Sequence, residues 1–140
     1  MVNVLKEENI MYKNNPLISY RTPRVLNSSE IIKCKKYIEN QINEYLSTTN
    51  VKSFTVKDIF GYDNCIWYER HKDIQCIYDA WVKHYTKTRS KWTCDEIYIE
   101  AYKQAAISLG HLVKQVVGYM PNRTFVINNP SGWNIVYKVV

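Results

Sequence analysis

Apolar residues recur at three- and four-residue steps in the second half of the chain, which is the spacing of buried helix faces. The cleanest stripe predicts a helix over about 72–86, and its members are Ile74, Ile77, Tyr78, Trp81, Val82 and Tyr85. The segment 62–71 is predicted as a structured loop with the Trp67 indole turned inward. A last helix is predicted from Thr93, which forms a T-x-x-E capping box with Glu96, to a stop at Gly118.

Two further helices are predicted nearer the N-terminus. The longer one begins at Ser28 or Ser29, which are hydroxyl caps, and ends in the polar run 47–50. A short strand is expected within 51–54, and a brief helix over 56–60 follows it, with Thr55 and Asp58 at the spacing of a capping box. The longer helix is expected to serve as scaffold.

The C-terminal segment changes from helical periodicity to strict alternation, which predicts two β-strands. The alternating apolar residues are Phe125, Ile127, Trp133, Ile135, Tyr137 and Val139. The run 128–132 between the two strands is dense in turn-forming residues and predicts an antiparallel hairpin. The predicted fold class is therefore α+β, with three to four helices and a C-terminal antiparallel β-hairpin.

The first 27 residues lack a sustained period, and Pro16 and Pro23 favour extended backbone there. We therefore predict an extended N-terminal arm over 1–27 and a single helical domain with its hairpin over 28–140. The arm has three alternatives, which are packing on its own domain, exchange with a partner subunit, or contact with a phosphate backbone. Packing on its own domain is the favoured one.

Composition narrows the class of protein. A length of 140 residues suits one domain, and an aromatic content of 14% argues against disorder. No apolar run is long enough to cross a membrane and the N-terminus lacks the apolar core of a signal peptide, so a cytoplasmic protein is expected. The cysteines and histidines are scattered without metal-ligand spacing. We predict no metal, no cofactor and no catalytic residue, and hence a protein that is not an enzyme.

A net charge of +6 points to an acidic partner, of which nucleic acid is the commonest. The densest basic cluster lies between the last two helices and comprises Lys83, His84, Lys87, Arg89 and Lys91. No carboxylate occurs from Ala80 to Cys94, aromatic and hydroxyl residues alternate with the cations, and a helix N-terminus follows. These features favour phosphate contact. The alternative is a solvated turn, since Asp95 and Glu96 already complement that helix end.

Further candidates lie on the last helix and on the hairpin. In a helix-turn-helix interpretation Lys103 and Gln104 face outward, with Gln104 able to pair with an adenine edge. Arg123 and Lys138 are the basic residues of the hairpin. The hairpin lies in the stretch after Glu100, which contains no acidic residue. The complete predicted nucleic-acid-binding set is Lys83, Lys87, Arg89, Lys91, Lys103, Gln104, Arg123 and Lys138.

The order helix, short strand, helix, helix, hairpin over 28–140 resembles the winged-helix DNA-binding superfamily. The resemblance is carried by Ser53-Phe54-Thr55 before the short helix, by the helix end Ala105–Val117 and by the hairpin Phe125–Val139. It implies a winged-helix-like domain that binds double-stranded DNA with its last helix and hairpin, with a homodimer as a further option. The segment 86–92 is longer than the compact helix-turn-helix connection.

A rival hypothesis is a protein-binding, assembly or inhibitor module of a virus or mobile element, without nucleic-acid contact. Richness in Lys, Asn, Ile and Tyr indicates an AT-rich genome, in which small accessory proteins of that kind are frequent. Exposed aromatic residues on the arm, such as Tyr12 and Tyr20, would favour this hypothesis. A continuous positive strip from the segment 83–91 to the hairpin would favour DNA.

Overall fold

The computed structural model describes residues 10–11, 23–61, 67–121, 123–128 and 135–140. Its helices are α1 (Ser28–Thr49), α2 (Val56–Phe60), α3 (Trp67–Arg70), α4 (Gln75–Thr88) and α5 (Cys94–Tyr119), and a 3₁₀ turn (Lys72–Ile74) leads into α4. Its strands are β1 (Ile10–Met11), β2 (Ser53–Phe54), β3 (Phe125–Asn128) and β4 (Val136–Val139). The predicted α+β class is confirmed.

The four strands form one antiparallel sheet in the order β1-β3-β4-β2. The predicted hairpin pairs Phe125 with Val139 and Ile127 with Tyr137. Strand β2 lies beside β4, where the Phe54 ring stacks on Tyr137 at 5.2 Å and meets Phe125 edge-on at 5.8 Å. This aromatic burial explains how so short a strand is held.

Strand β1 comes from the segment predicted as an arm. Ile10 and Met11 pair with Ile127 and Val126 of β3, which places them at one edge of the sheet. The rest of the segment up to residue 22, including Tyr12 and Tyr20, lies outside the described residues. The division between arm and domain stays a prediction.

The helix N-termini are fixed by reciprocal capping boxes. The boxes predicted at Thr55 and Thr93 are both present. At α1 the cap is Asn27 rather than a serine, because Asn27 Oδ1 accepts from the Glu30 N–H at 2.8 Å while Glu30 Oε1 accepts from the Asn27 N–H at 2.9 Å. The three-residue spacing to Glu30, which the serines lack, decides the position of the cap.

Helix α5 is longer than predicted. Gly118 is buried within its last turn and does not have a positive φ, so the predicted stop there is wrong. The helix ends at Tyr119, and Met120 is extended with φ −63° and ψ 127°. The next residue is Pro121, which disfavours helical backbone in the residue before it.

The core lies where α1, α4 and α5 meet the sheet. α1 contributes one stripe, consisting of Cys34, Ile38, Ile42 and Leu46. The stripe predicted over 72–86 is divided, since Ile74, Ile77 and Tyr85 are buried while its other members, Tyr78, Trp81 and Val82, are half-buried. Trp67 is 4% exposed, but it begins the short helix α3 instead of lying in a loop. In the described part of the chain, no helix combines the length and apolarity needed to span a bilayer.

Candidate nucleic-acid interface

The C-terminal half of α4 carries the first two predicted cations. Lys83 and Lys87 are one turn apart, both are exposed, and they border a groove of about 540 Å³ beside the start of α1. Glu30 and Asp79 line the same groove, and burial raises the pKa of Asp79. The groove therefore has mixed charge.

A column of three aromatic rings lies on the α5 side of α4. Tyr85 stacks on Trp81 at 5.5 Å and lies tilted against Trp92 at 5.4 Å, and the His84 ring meets both Trp81 and Tyr85 edge-on. The indole Nε1 of Trp81 donates to Ser108 Oγ at 2.9 Å. The column is thereby attached to α5, and burial raises the pKa of the Tyr85 hydroxyl.

Arg89 lies beside the Tyr85 and Trp92 rings of this column. Its guanidinium carbon is 5.8 Å from the Tyr85 ring centre and 5.5 Å from that of Trp92. The side chain is exposed, and Nη1 makes a long contact of 3.5 Å to the Thr88 carbonyl. Cation–π contact with two rings restricts the orientation of the guanidinium, and its exposed N–H donors suit phosphate binding.

The connection between α4 and α5 is Arg89–Thr93, shorter than the predicted segment 86–92 because α4 continues to Thr88. Backbone hydrogen bonds from Arg89 N to Tyr85 O at 2.8 Å and from Trp92 N to Arg89 O at 3.0 Å hold it. The connection is therefore ordered, and it presents Lys91 as an exposed side chain.

Most of the hydroxyls expected to bind phosphate have local partners instead. Thr86 and Thr88 donate to the carbonyls of Val82 and His84 at 2.7 and 2.9 Å. The Thr93 hydroxyl accepts the capping hydrogen bond from α5. A hydroxyl has one proton, so these two threonines cannot donate to a phosphate without giving up a helix contact. The cations are left as the principal donors.

The α5 candidates differ from each other in their surroundings. Lys103 is exposed and shares a helix face with Ile107, Gly110 and Lys114, which line a separate cleft of about 320 Å³ between α2 and α5. Gln104 Nε2 donates to Glu100 Oε2 at 3.2 Å. An adenine edge would have to compete with that carboxylate for the amide.

The hairpin candidates are also different from each other. Arg123 Nε donates to Asn43 Oδ1 at 3.0 Å, a contact that connects the start of the hairpin to α1. Lys138 is exposed on β4 and pairs with Val126 and Ser53. The hairpin tip at 129–134, which contains Asn129, Asn134 and Trp133, lies outside the described residues.

Two side-chain pairs were not predicted from the sequence. Tyr37 Oη and His71 Nδ1 are 2.6 Å apart, and burial lowers the pKa of His71. The Sγ atoms of Cys34 and Cys76 are 3.4 Å apart, and the hydrogen bond between them together with burial raises the pKa of Cys34. The two residues of each pair are 34 and 42 positions apart in the sequence, which is beyond the range of any periodic signal. No cluster of three potential metal ligands occurs among the described residues.

Comparison with known proteins adds no assignment. No family model matches the chain, and no curated protein or solved structure matches it either. Function must therefore be argued from the geometry of the site.

Proposed function

We propose that the chain is a nucleic-acid-binding protein that contacts the phosphate backbone of double-stranded DNA. The contact surface, which we call the cationic segment, is formed by residues 83–91. The observation that carries the proposal is the placement of Arg89 on Tyr85 and Trp92, with exposed lysines on either side of it. Each phosphate met by one of these cations releases condensed counterions, and this release drives association.

A winged-helix-like domain is the arrangement we infer for the fold. The pairing of β2 with β4 places the short strand beside the hairpin. This agrees with the winged-helix order, in which a helix and a strand precede the last helices and the hairpin. The five-residue connection between α4 and α5 supports the same inference more closely than the sequence alone did. In this arrangement Lys138 and Arg123 add backbone contacts at the hairpin, while Lys103 adds one on α5.

The engaged amide of Gln104 shapes the expected mode of binding. Because the Gln104 amide donates to Glu100, α5 has little capacity for direct readout of base edges. Phosphate contacts carry no sequence information of their own. The proposed activity is therefore DNA binding with weak sequence preference.

The test measures the salt dependence of binding to a fluorescent duplex of random sequence by anisotropy. The test variant changes three cations of the cationic segment to glutamine: Lys87, Arg89 and Lys91. The matched control removes the same charge from exposed lysines elsewhere: Lys33, Lys36 and Lys72.

The test variant is expected to lose affinity for all duplexes and to lower the slope of log K against log salt by about 2.7, at roughly 0.9 for each lost phosphate contact. The control should keep most of the affinity, since only long-range attraction changes. Equal effects of the two triple variants, or no binding by the unaltered protein at low salt, would refute the proposal. RNA duplex and single-stranded DNA, measured alongside, define the class of nucleic acid.

A protein-binding function is the second candidate, because α5 also exposes apolar side chains. Ile99 and Ile107 are 58% and 46% exposed and lie on either side of Lys103 along the helix. Exposed isoleucines of this kind are typical of a docking face on a partner or on a second copy of the chain. Light scattering of the unaltered protein and of Ile99→Glu distinguishes these cases. Loss of an oligomer in the variant would support a self-association face.

A further inference from the structure

Two cysteines meet at the boundary between α1 and α4. The Sγ atoms of Cys34 and Cys76 are 3.4 Å apart, and both residues are free thiols. A disulfide has an S–S distance of about 2.05 Å, so the two sulfur atoms would have to approach each other by only about 1.4 Å to form one. Cys34 belongs to the buried stripe of α1 and Cys76 to the first turn of α4, so a bond between them would join the two helices covalently.

The two thiols differ in their access to solvent. Cys34 is 0% exposed, whereas Cys76 is half-exposed. Cys76 also lines the groove of about 540 Å³ that Lys83 and Lys87 border, and Cys34 is not part of that lining. A small reagent that enters the groove therefore meets Cys76 and not Cys34.

The same contact makes Cys76 the more acidic of the two thiols. The hydrogen bond to Cys76 raises the pKa of Cys34, and burial adds to this increase. The hydrogen bond from Cys34 lowers the pKa of Cys76, and Lys33 acts in the same direction, while burial and the carboxylates of Glu30 and Asp79 act against them. Cys34 is thus the donor and Cys76 the acceptor. Because the thiolate is the reactive form of cysteine, the accessible sulfur is also the more nucleophilic one.

We propose that Cys76 is a site of oxidation by peroxides and that Cys34 is the thiol that resolves the product. An accessible thiolate beside a second thiol is the arrangement typical of reversible cysteine oxidation. The site does not depend on the cationic segment, and every measurement that tests it is made without DNA.

The reaction proceeds in two balanced steps. The Cys76 thiolate attacks one oxygen of hydrogen peroxide, the O–O bond breaks, and the departing hydroxide takes up a proton to become water. The sulfenic acid formed on Cys76 is then attacked by the Cys34 sulfur, the S–O bond breaks, and the hydroxyl group leaves as water with the proton of Cys34. Two thiols are oxidised to one disulfide, and one peroxide is reduced to two waters.

The first experiment treats the reduced full chain with a small excess of hydrogen peroxide at pH 7. Remaining thiols are alkylated, and the peptides are identified by mass spectrometry. The folded protein should form a bridge between Cys34 and Cys76 that dithiothreitol reverses. The same treatment in urea should give a mixture of bridges among the four cysteines, because the pair is no longer held together. Absence of this bridge in the folded protein, or the same yield in urea, would overturn the proposal.

A pair of variants separates the two roles. In Cys34→Ser the resolving thiol is missing, so the sulfenic acid should accumulate on Cys76 and be trapped by dimedone. In Cys76→Ser the remaining thiol is buried and should gain no dimedone adduct. Circular dichroism establishes that each variant is folded. An adduct on Cys34 in folded Cys76→Ser, or none on Cys76 in folded Cys34→Ser, would refute the assigned roles.

The hydrogen bond has a readout of its own. Cys34→Ser keeps a donor beside Cys76, whereas Cys34→Ala removes it. Adduct formation on Cys76 should be about threefold slower in Cys34→Ala, because the loss of thiolate outweighs the higher nucleophilicity of a less acidic thiol. Equal rates in the two folded variants would contradict the role of Cys34 as donor.

A further pair of variants tests access through the groove. Ala80 is one helix turn after Cys76 and lines the same groove, so Ala80→Leu extends a side chain over the sulfur. In the Cys34→Ser background this change should reduce the rate of adduct formation to less than about half, since the reaction depends on access to the sulfur. Ala106→Leu is the matched control, because Ala106 is a half-buried alanine of α5 in the other cleft. Equal rates in the two folded variants would refute entry of peroxide through the groove.

Discussion

The hydrogen bond between Trp81 and Ser108 is expected to couple α4 to α5 energetically. The donor Trp81 Nε1 and the acceptor Ser108 Oγ are 2.9 Å apart, and Ser108 is 3% exposed. Removing either partner leaves the other in a place that water reaches poorly. We therefore expect Ser108→Ala and Trp81→Phe to be non-additive.

The magnitude follows from opposing contributions. A neutral hydrogen bond contributes about 0.5–1.5 kcal/mol, whereas Ser108→Ala improves helix propensity by about 0.5 kcal/mol. The single variant Ser108→Ala should therefore lose only about 0.5 kcal/mol of unfolding free energy. Trp81→Phe should lose about 2 kcal/mol, because the smaller ring also reduces stacking on Tyr85. The propensity contribution cancels in the double-mutant cycle, which leaves a coupling of about 1 kcal/mol.

The assay is urea unfolding followed by far-ultraviolet circular dichroism, which does not depend on tryptophan fluorescence. Four proteins complete the cycle, and a coupling of this size corresponds to about 3 °C in Tm for a domain of this length. Trp92→Phe combined with Ser108→Ala is the control pair, since Trp92 has no hydrogen bond to that serine, and it should be additive. A Trp81–Ser108 coupling below about 0.3 kcal/mol would refute the assigned role of the bond.

Three further predictions concern stability. Gly110→Ala should raise the unfolding free energy by about 0.5–1 kcal/mol, because the added methyl group meets open space and improves helix propensity, and urea unfolding measures it. Burial lowers the pKa of His71, so the unfolded chain takes up its proton first as the pH falls. Stability should therefore decline below about pH 6.5, and His71→Gln should flatten that decline between pH 7.5 and 5.5. Oxidation by diamide should join Cys34 to Cys76, whose Sγ atoms are 3.4 Å apart, and raise stability by up to about 4 kcal/mol. Mass spectrometry after digestion identifies the bridge, and Cys34→Ser should remove the gain.

Local signals in the sequence predicted most of the framework. The capping boxes at Thr55 and Thr93 depend on residues three positions apart, so the sequence contains all the information needed. The helix ends were less predictable, because burial decides them. Gly118 continues α5 since the core covers that turn, and the extended Met120 before a proline then ends it.

The hydrogen-bond partners of the candidate residues cannot all be predicted from the periodicity of the sequence. Arg123 is hydrogen-bonded to Asn43, 80 positions away, and this contact could not be predicted from the charge of the hairpin. Gln104 is one turn from Glu100, and that pairing was accessible from an i, i+4 pattern. The cleft at Gly110 was not predicted, although a glycine inside a strong helical stripe was the available signal.

The surroundings of α5 argue for the role of α4 in the proposed DNA complex. One face of α5 packs on α1, a second is bonded to α4 through Ser108, and a third borders the cleft at Gly110. The outward strip beside the cleft presents Ile99, Lys103 and Ile107, the last of which also lines the cleft. Such a strip offers few groups that could read base edges in a major groove. Binding through the cationic segment should therefore distinguish poorly between duplex sequences, and a high specificity ratio in the anisotropy assay would require α5 to expose groups that are engaged in this structure.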